Sequence, residues 1–350
     1  MRFSFRHMPR RRLMLVALVA LALLAAPFAF AARRPRRVDG PRPEVRRVLP
    51  RPEVSGASPA ARPAKPSPSA PEPTLSLTHE SLVPLRLEHA AFPNLPVPGA
   101  LVYIPAGIDR ARPLDVVVFV HGWNGCAAAV ASDAQIPCRP QGPRRGALDL
   151  VGQFRASGRA AVLVIPQMAL ERRTGDAGRL GAPNGFRLFL REVLAGIAPQ
   201  VGARSVDSLG RVILSAHSGG FEAALMMLKH GGVTVDQLVF FDAFYAGTWQ
   251  VAHWLQQTLE QPSLGRRFVS VYRDGAAAAG TRDLHRALRP ALVAAGRTEA
   301  LRSRATPGRI TLDEASATIA LVRTPGDHQQ SVRWNLATVL RGADLAPVVR

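Results

Sequence analysis

The stretch that decides the fold is Arg211-Val-Ile-Leu-Ser-Ala-His-Ser-Gly-Gly220, and Phe221 follows it directly. Its first half is an apolar run typical of a buried strand, and residues 221–230 have the spacing of an amphipathic helix. Between strand and helix lies a turn of small residues around Ser218. A serine on such a turn is held in a strained backbone conformation with its hydroxyl exposed, which favours a role as a nucleophile.

The residues two before and two after the serine, Ala216 and Gly220, are small enough to let strand and helix approach closely. The pattern Ala-His-Ser-Gly-Gly resembles the G-x-S-x-G elbow of the α/β-hydrolase family, with alanine in the first glycine position. The resemblance extends upstream, where the apolar run 116–120 leads into His121-Gly-Trp123. It covers roughly residues 80 to 345 and implies a serine hydrolase, esterase-like or lipase-like.

The resemblance also implies an oxyanion hole, the pair of backbone N–H groups that binds the developing negative charge. In the family, one donor comes from the loop after the upstream strand and the other from the residue after the nucleophile. By position these are Trp123 and Gly219. His121 is expected to fix the loop rather than react, and His217 is expected to point away from the serine.

The family's chain order of nucleophile, acid and histidine places the base beyond the last strand. His328 alone among the nine histidines follows a late β-rich run. Two aspartates end strands between the serine and this histidine. Asp242 lies in an apolar run, where an ionised carboxylate needs a partner such as an imidazole, whereas Asp274 begins an Asp-Gly turn. We favour Asp242 as the acid, with Asp274 as the alternative.

From Leu82 onward, β-rich apolar runs alternate with helical patterns, which predicts a mostly parallel central sheet with helices on both faces. This is the α/β fold class that the resemblance implies. Strands are expected at 82–89, 100–104, 115–120, 160–165, 211–215, 237–241, 268–272 and 317–322, and helices at 185–197, 221–230 and from about 331.

Composition divides the chain into three parts. Residues 1–31 combine basic residues, an apolar run and an Ala-Phe-Ala pattern, the order of a signal peptide. An uncleaved membrane anchor is the alternative, since residues 13–32 are long enough to span a bilayer. Residues 32–75 are rich in proline and arginine, which predicts a disordered linker. Residues 76–350 are expected to form the hydrolase domain. The protein is therefore expected to be exported, either periplasmic or secreted, or else membrane-anchored.

The net charge of +20 is concentrated at the N-terminus, where the first 75 residues hold 15 of the 45 basic and 4 of the 25 acidic residues. No clustered basic stripe follows, so no nucleic-acid partner is expected. The basic linker allows weak contact with anionic envelope polymer or membrane. The composition does not indicate an oligomeric state.

Cys126 and Cys138 are the only cysteines, too few for a four-cysteine zinc site. Neither a metal nor another cofactor is expected. In an exported protein the two cysteines are expected to form a disulfide, and two buried thiols are the alternative.

The sequence therefore predicts an exported serine hydrolase that cleaves a small-molecule or lipid-like carboxylic ester through an acyl-enzyme intermediate. A peptidase or amidase of the same fold is one alternative, and a catalytically inactive, envelope-binding domain is another. Segments 170–183 and 246–265 are expected to border the pocket. Four side chains predict an apolar or aromatic wall there: Phe244, Tyr245, Trp249 and Trp254.

Overall fold

The computed structural model describes residues 79–349. The predicted signal segment or anchor and the predicted linker lie outside the described residues. Within residues 79–349, no helix combines the length and the apolar character needed to cross a bilayer.

The described strands of the central sheet are β1 (Ser81–Leu85), β2 (Ala100–Ile104), β3 (Asp115–Val120), β4 (Ala161–Pro166), β5 (Val212–His217), β6 (Gln237–Phe241), β7 (Arg267–Tyr272), β8 (Leu301–Arg304) and β9 (Ile319–Arg323). Their order across the sheet is β1-β2-β4-β3-β5-β6-β7-β9-β8. Strand β2 runs antiparallel to both neighbours, and every other neighbouring pair is parallel. This is the predicted mostly parallel sheet of an α/β-hydrolase fold.

The helices of residues 79–349 are α1 (Ala127–Ala131), α2 (Leu150–Ser157), α3 (Gly185–Val201), α4 (Phe221–His230), α5 (Thr248–Glu260), α6 (Ala276–Ala294), α7 (Leu312–Ser316), α8 (Gln330–Arg333) and α9 (Leu336–Gly342). Helices α3, α4, α5 and α6 pack on one face of the sheet, and α1, α2, α7, α8 and α9 on the other. Each face of the sheet has its own hydrophobic core, because successive side chains of a strand point to opposite faces. In β3, Val118 packs in the core on the side of α3 to α6, and Phe119 packs in the core on the other side.

One strand of the central sheet was not predicted from the sequence, nor was a separate two-stranded sheet formed by Ile136–Pro137 and Arg144–Arg145. Strand β8 reads Leu-Arg-Ser-Arg, and its two middle residues are exposed. It lies at the edge of the sheet, paired on one side only, with β9. An edge strand of this kind keeps polar, charged side chains in solvent and lacks the apolar run by which central strands are recognised. Strand β1 is shorter than predicted, because the chain leaves the sheet after Leu85.

The register of the parallel strands brings the site residues to one edge of the sheet. Val120 at the end of β3 pairs with Ala216, and His217 at the end of β5 pairs with Phe241 at the end of β6. Further along, Arg323 at the end of β9 pairs with Tyr272. The segments that follow these strands therefore leave the sheet side by side.

Candidate active site

Ser218 lies on a sharp turn between β5 and α4. Its backbone φ of +54° is in the left-handed region that non-glycine residues rarely adopt. Gly220 must be a glycine, because a Cβ there would lie 2.7 Å from the carbonyl oxygen of Val120 and 2.9 Å from that of His121. The strained serine and the close approach of the helix to β3 are both features of a nucleophile elbow.

The loop after β3 passes directly against the serine. A Cβ added to Gly122 would lie 2.7 Å from the Cβ of Ser218 and 3.2 Å from its Oγ. A Cβ added to Gly219 would lie 2.1 Å from the indole Nε1 of Trp123. The structure thus brings the two residues expected to form the oxyanion hole together beside the serine.

His121 fixes this loop, as expected from the sequence. The imidazole is buried, and its Nδ1 donates to the carbonyl oxygen of Gly122 at 2.9 Å while its Nε2 accepts the backbone N–H of Met168 at 3.1 Å. Burial lowers the pKa of His121 to about 4, although the Gly122 hydrogen bond opposes this shift. The side chain is therefore neutral near pH 7 and holds the loop to the end of β4.

His328 and Asp242 form a hydrogen-bonded pair. The Nδ1 of His328 lies 2.7 Å from the Oδ2 of Asp242. The aspartate side chain is only 8% exposed, its Oδ1 accepts the backbone N–H of Arg273 at 3.2 Å, and the guanidinium of Arg273 lies 3.7 Å from Oδ2. With Nδ1 donating to the carboxylate, the Nε2 of His328 remains available to accept a proton.

Asp274, the alternative acid, has a different environment. Its side chain is 73% exposed and pairs with the guanidinium of Arg323. Among the described residues it makes no hydrogen bond to a histidine. The structure thus brings Asp242, and not Asp274, to His328.

Ser218 and His328 line the same cleft, whose volume is about 370 Å³. No hydrogen bond joins their side chains within the described part of the chain. In a structure without substrate, hydrogen bonds between catalytic groups are often long and tighten only when substrate binds. Both side chains therefore lie in one cleft, but among the described residues they are not hydrogen-bonded to each other.

His217 is a site residue that the sequence reasoning missed. The expectation that it points away is wrong, because its ring lines the cleft and lies 4.4 Å, centre to centre, from the ring of His328. Its Nε2 donates to the carbonyl oxygen of His328 at 3.0 Å. Burial, assisted by the charge of His328, lowers the pKa of His217 to about 3. The only signal in the sequence was the position of His217 at the carboxyl end of β5.

The predicted disulfide is present. Cys126 and Cys138 are bonded, with their Cα atoms 5.7 Å apart. The bond closes a loop immediately after the oxyanion segment, and Gln135 within that loop lines the cleft. The disulfide therefore tethers part of the cleft wall.

The expected aromatic wall is wrong for this cleft. Phe244 and Trp254 are buried in the core beneath α5 and α6, and Trp249 is 70% exposed. Neither segment 170–183 nor segment 246–265 lines the cleft. The wall comes instead from residues 122–148 and is polar, with Arg144 and Arg145 among its side chains. The amphipathic pattern of α5 turns Trp254 toward the core rather than toward the site.

Tyr245 is the one predicted wall residue that reaches the site. Its hydroxyl donates to the carbonyl oxygen of Asp242 at 2.5 Å. Burial raises the pKa of Tyr245 to about 12, and the negative charge of Asp242 adds to this shift. The phenol is therefore neutral near pH 7.

One group of side chains within residues 79–349 has the spacing of metal ligands: Glu88, His89 and Glu192. None of the three lines the cleft. His89 is already paired with Glu192 through both its backbone N–H and its ring. This group therefore lies apart from the cleft.

No protein-family model matches the sequence, and no curated protein is similar to it. Solved structures are similar at low identity. A feruloyl esterase module from Clostridium thermocellum is 13% identical, with a TM-score of 0.46 over 79% of this chain and 92% of that one. An enterobactin esterase from Shigella flexneri is 14% identical, with a TM-score of 0.39 over 78% and 63%. An S-formylglutathione hydrolase from Agrobacterium tumefaciens is 16% identical, with a TM-score of 0.37 over 73% and 90%.

Proposed function

We propose that the protein is a serine hydrolase that cleaves carboxylic esters. Ser218 is the nucleophile, His328 the general base and Asp242 the residue that orients the imidazole. The observation that carries this proposal is the 2.7 Å hydrogen bond between His328 and the buried Asp242, in the same cleft as a serine with a left-handed backbone. Groups of this kind that converge on one cleft mark functional sites.

In the proposed reaction, the Oγ of Ser218 attacks the acyl carbonyl carbon while the Nε2 of His328 accepts the hydroxyl proton. The resulting oxyanion is bound by the backbone N–H groups of Trp123 and Gly219. The carbon–oxygen bond to the alcohol then breaks, and the imidazolium gives its proton to the departing alkoxide. Water repeats the sequence on the acyl-enzyme, which releases the acid and regenerates the serine.

The cleft favours a small, polar acyl group over a long alkyl chain. It is modest in volume, and its lining includes Arg144 and Arg145. Arg145 lies 3.7 Å from the carboxylate of Glu171, whereas Arg144 has no acidic partner among residues 79–349. A guanidinium without a partner is a ready binding group for a carboxylate. We therefore propose that the preferred ester carries an anionic group on its acyl side.

A matched pair of substrates tests this proposal. The mono-p-nitrophenyl ester of adipic acid and p-nitrophenyl hexanoate differ chiefly in a terminal carboxylate. We expect kcat/KM to favour the anionic ester by about tenfold, the value of one charge-assisted hydrogen bond of about 1.5 kcal/mol. The preference should disappear in Arg144→Gln and persist in Arg191→Gln, an exposed control on α3. Preference for the neutral ester would contradict the assignment.

A second candidate is a catalytically inactive domain that binds envelope polymer. The missing hydrogen bond between Ser218 and His328 favours it. The inactive domain would be excluded if the protein hydrolyses either p-nitrophenyl ester and Ser218→Ala does not. Turnover of the matching p-nitroanilides would instead indicate an amidase.

Export is part of the proposal. The Cys126–Cys138 disulfide supports it, because disulfides persist in oxidising compartments and are rare in the cytosol. Fractionation of the native host should recover the protein outside the cytoplasm. The N-terminus of that material distinguishes a cleaved signal, with a chain beginning near Ala32, from an anchor retained at Met1.

A further inference from the structure

A second, larger cavity within residues 79–349 lies apart from the cleft described above. It is a groove of about 970 Å³ between α6 and the strands β8 and β9 at the edge of the sheet. It shares no lining residue with the cleft that contains Ser218. Along α6 it extends from Ala278 to Val293, about 22 Å at a rise of 1.5 Å per residue.

The charge along this groove is strongly one-sided. Four arginines and one aspartate line it: Arg282, Arg286, Arg289, Arg323 and Asp274. Arg323 pairs with Asp274, and Arg286 lies 3.2 Å from Asp283 in a largely exposed pair. Arg282 and Arg289 have no acidic partner within the described part of the chain. An anion in the groove would meet two guanidinium groups that no acidic side chain neutralises.

The spacing of the arginines on α6 opposes helix stability. Arg282 and Arg286 are four residues apart, and Arg286 and Arg289 are three apart, so like charges share one face of the helix. Each such pair costs a few tenths of a kcal/mol. A ligand that bears negative charge would remove this repulsion.

Most of the other lining residues are apolar, and Thr281, His285 and Ser303 are the polar exceptions. Leu321 of β9 and Ala278 of α6 are buried beneath it, and the side chain of Val293 near its far end is 61% exposed. An exposed valine beside a cavity of this size offers apolar surface that an occupant would cover. A cationic rim and an apolar interior together match an amphiphile with a negative head.

We propose that this groove binds a single-chain anionic amphiphile, for which a long-chain carboxylate is the simplest example. The carboxylate lies between Arg282 and Arg289, where planar guanidinium groups bind two oxygens at once. The chain extends along α6 over the apolar surface. The N-terminal part of this chain is a poor occupant, because residues 1–78 hold 15 basic and 4 acidic residues and would meet like charge.

Calorimetric titration of the whole protein with monomeric dodecanoate tests the proposal. We expect saturable binding that weakens by about tenfold or more in the double variant Arg282→Gln/Arg289→Gln, since two charge-assisted hydrogen bonds are lost. The control Arg191→Gln/Lys229→Gln removes the same charge from exposed positions of α3 and α4 and should bind as the parent does. Val293→Gln should weaken dodecanoate binding to a smaller extent.

Three results would overturn the proposal that the groove binds an anionic amphiphile. Equal affinity for dodecyltrimethylammonium would mean that the apolar chain alone binds, and equal affinity for acetate would mean an adventitious ion only. Loss of dodecanoate binding in Arg144→Gln, with full binding in the double variant, would place the ligand in the cleft of Ser218. Because Ser218→Ala should bind dodecanoate normally, failure of the groove and failure of the proposed ester hydrolysis are distinguishable.

Discussion

The Nδ1 of His328 and the Oδ2 of Asp242 lie 2.7 Å apart, although 86 residues separate them in the sequence. Asp242 follows β6 and His328 follows β9, and these strands are not neighbours, because β7 lies between them. The backbone N–H of Arg273, just after β7, donates to the same carboxylate. The contact thus spans three strands at one edge of the sheet and gives the buried aspartate the partner it requires.

Exchanging each aspartate for asparagine separates the two candidate acids. Asp242→Asn should lower kcat by up to about 10⁴, because an amide leaves His328 in the wrong tautomer. Asp274→Asn should lose only a surface ion pair worth about 1 kcal/mol or less and retain its turnover. Steady-state kinetics of both variants, with thermal melts to establish folding, test this prediction. Inactivity of Asp274→Asn alone would reverse the assignment.

The oxyanion assignment concerns the backbone of Trp123 and not its indole. Trp123→Ala keeps the N–H group and should keep kcat within about tenfold, while Trp123→Pro removes that group and should lower kcat by about 10²–10³. Circular dichroism of both variants establishes whether the fold is retained. If the alanine variant is as inactive as a folded proline variant, the indole and not the amide carries the effect.

Two buried histidines make stability depend on pH. The pKa of His121 falls to about 4 and that of His217 to about 3 in the folded protein, below the reference value of about 6.5 for an unfolded chain. Between these values the unfolded state binds more protons, so stability rises with pH. The free energy of unfolding should therefore fall as pH is lowered from 6.5 toward 4. The expected decrease is about 1.4 kcal/mol per pH unit for each of the two histidines.

Urea denaturation at several pH values measures this slope. His121→Asn should have a smaller slope than the parent protein, because one of the two buried groups no longer titrates. His253→Gln changes an exposed histidine on α5 and serves as the control. A slope that is unchanged in His121→Asn would contradict the burial argument.

The disulfide should stabilise both the fold and the cleft. Cys126 and Cys138 are 12 residues apart, and closing a loop of this size is worth about 3 kcal/mol by loop-closure entropy. The double variant Cys126→Ser/Cys138→Ser should lose about that much stability. It should also lose kcat/KM, because Gln135 in the loop lines the cleft. Thiol reductant should reproduce both losses in the parent protein and change nothing in the double variant.

The sharp turn at Ser218 and the histidine partner of Asp242 could be predicted because their signals are local. An apolar strand, a small-residue turn and an amphipathic helix lie within residues 211–230, and the apolar run around Asp242 already implied a buried carboxylate with a partner. The strand order was not predicted, and the expected meeting of Asp242 with His328 combined the burial argument for Asp242 with the chain order of the resembled family.

What the sequence did not reveal depends on tertiary packing. Whether His217 contacts His328 is set by the path of the loop after β9, about 110 residues away. Whether Trp254 lines a pocket or a core depends on which face of α5 meets the sheet, and here it packs inward. Arg144 reaches the cleft wall from the segment after Cys138, where it pairs with Pro137 in a two-residue strand that is too short to leave a pattern in the sequence.

Covalent labelling with a fluorophosphonate tests the central claim most directly, because the reagent phosphonylates an activated serine and spares an ordinary one. We expect one label per chain, located on the tryptic peptide that contains Ser218 by mass spectrometry, and none in Ser218→Ala although that variant folds. Hydrolysis of p-nitrophenyl esters should fall by about four to six orders of magnitude in the same variant. Undiminished labelling of Ser218→Ala, or an unlabelled and inactive parent protein, would contradict the assignment of Ser218 as the nucleophile.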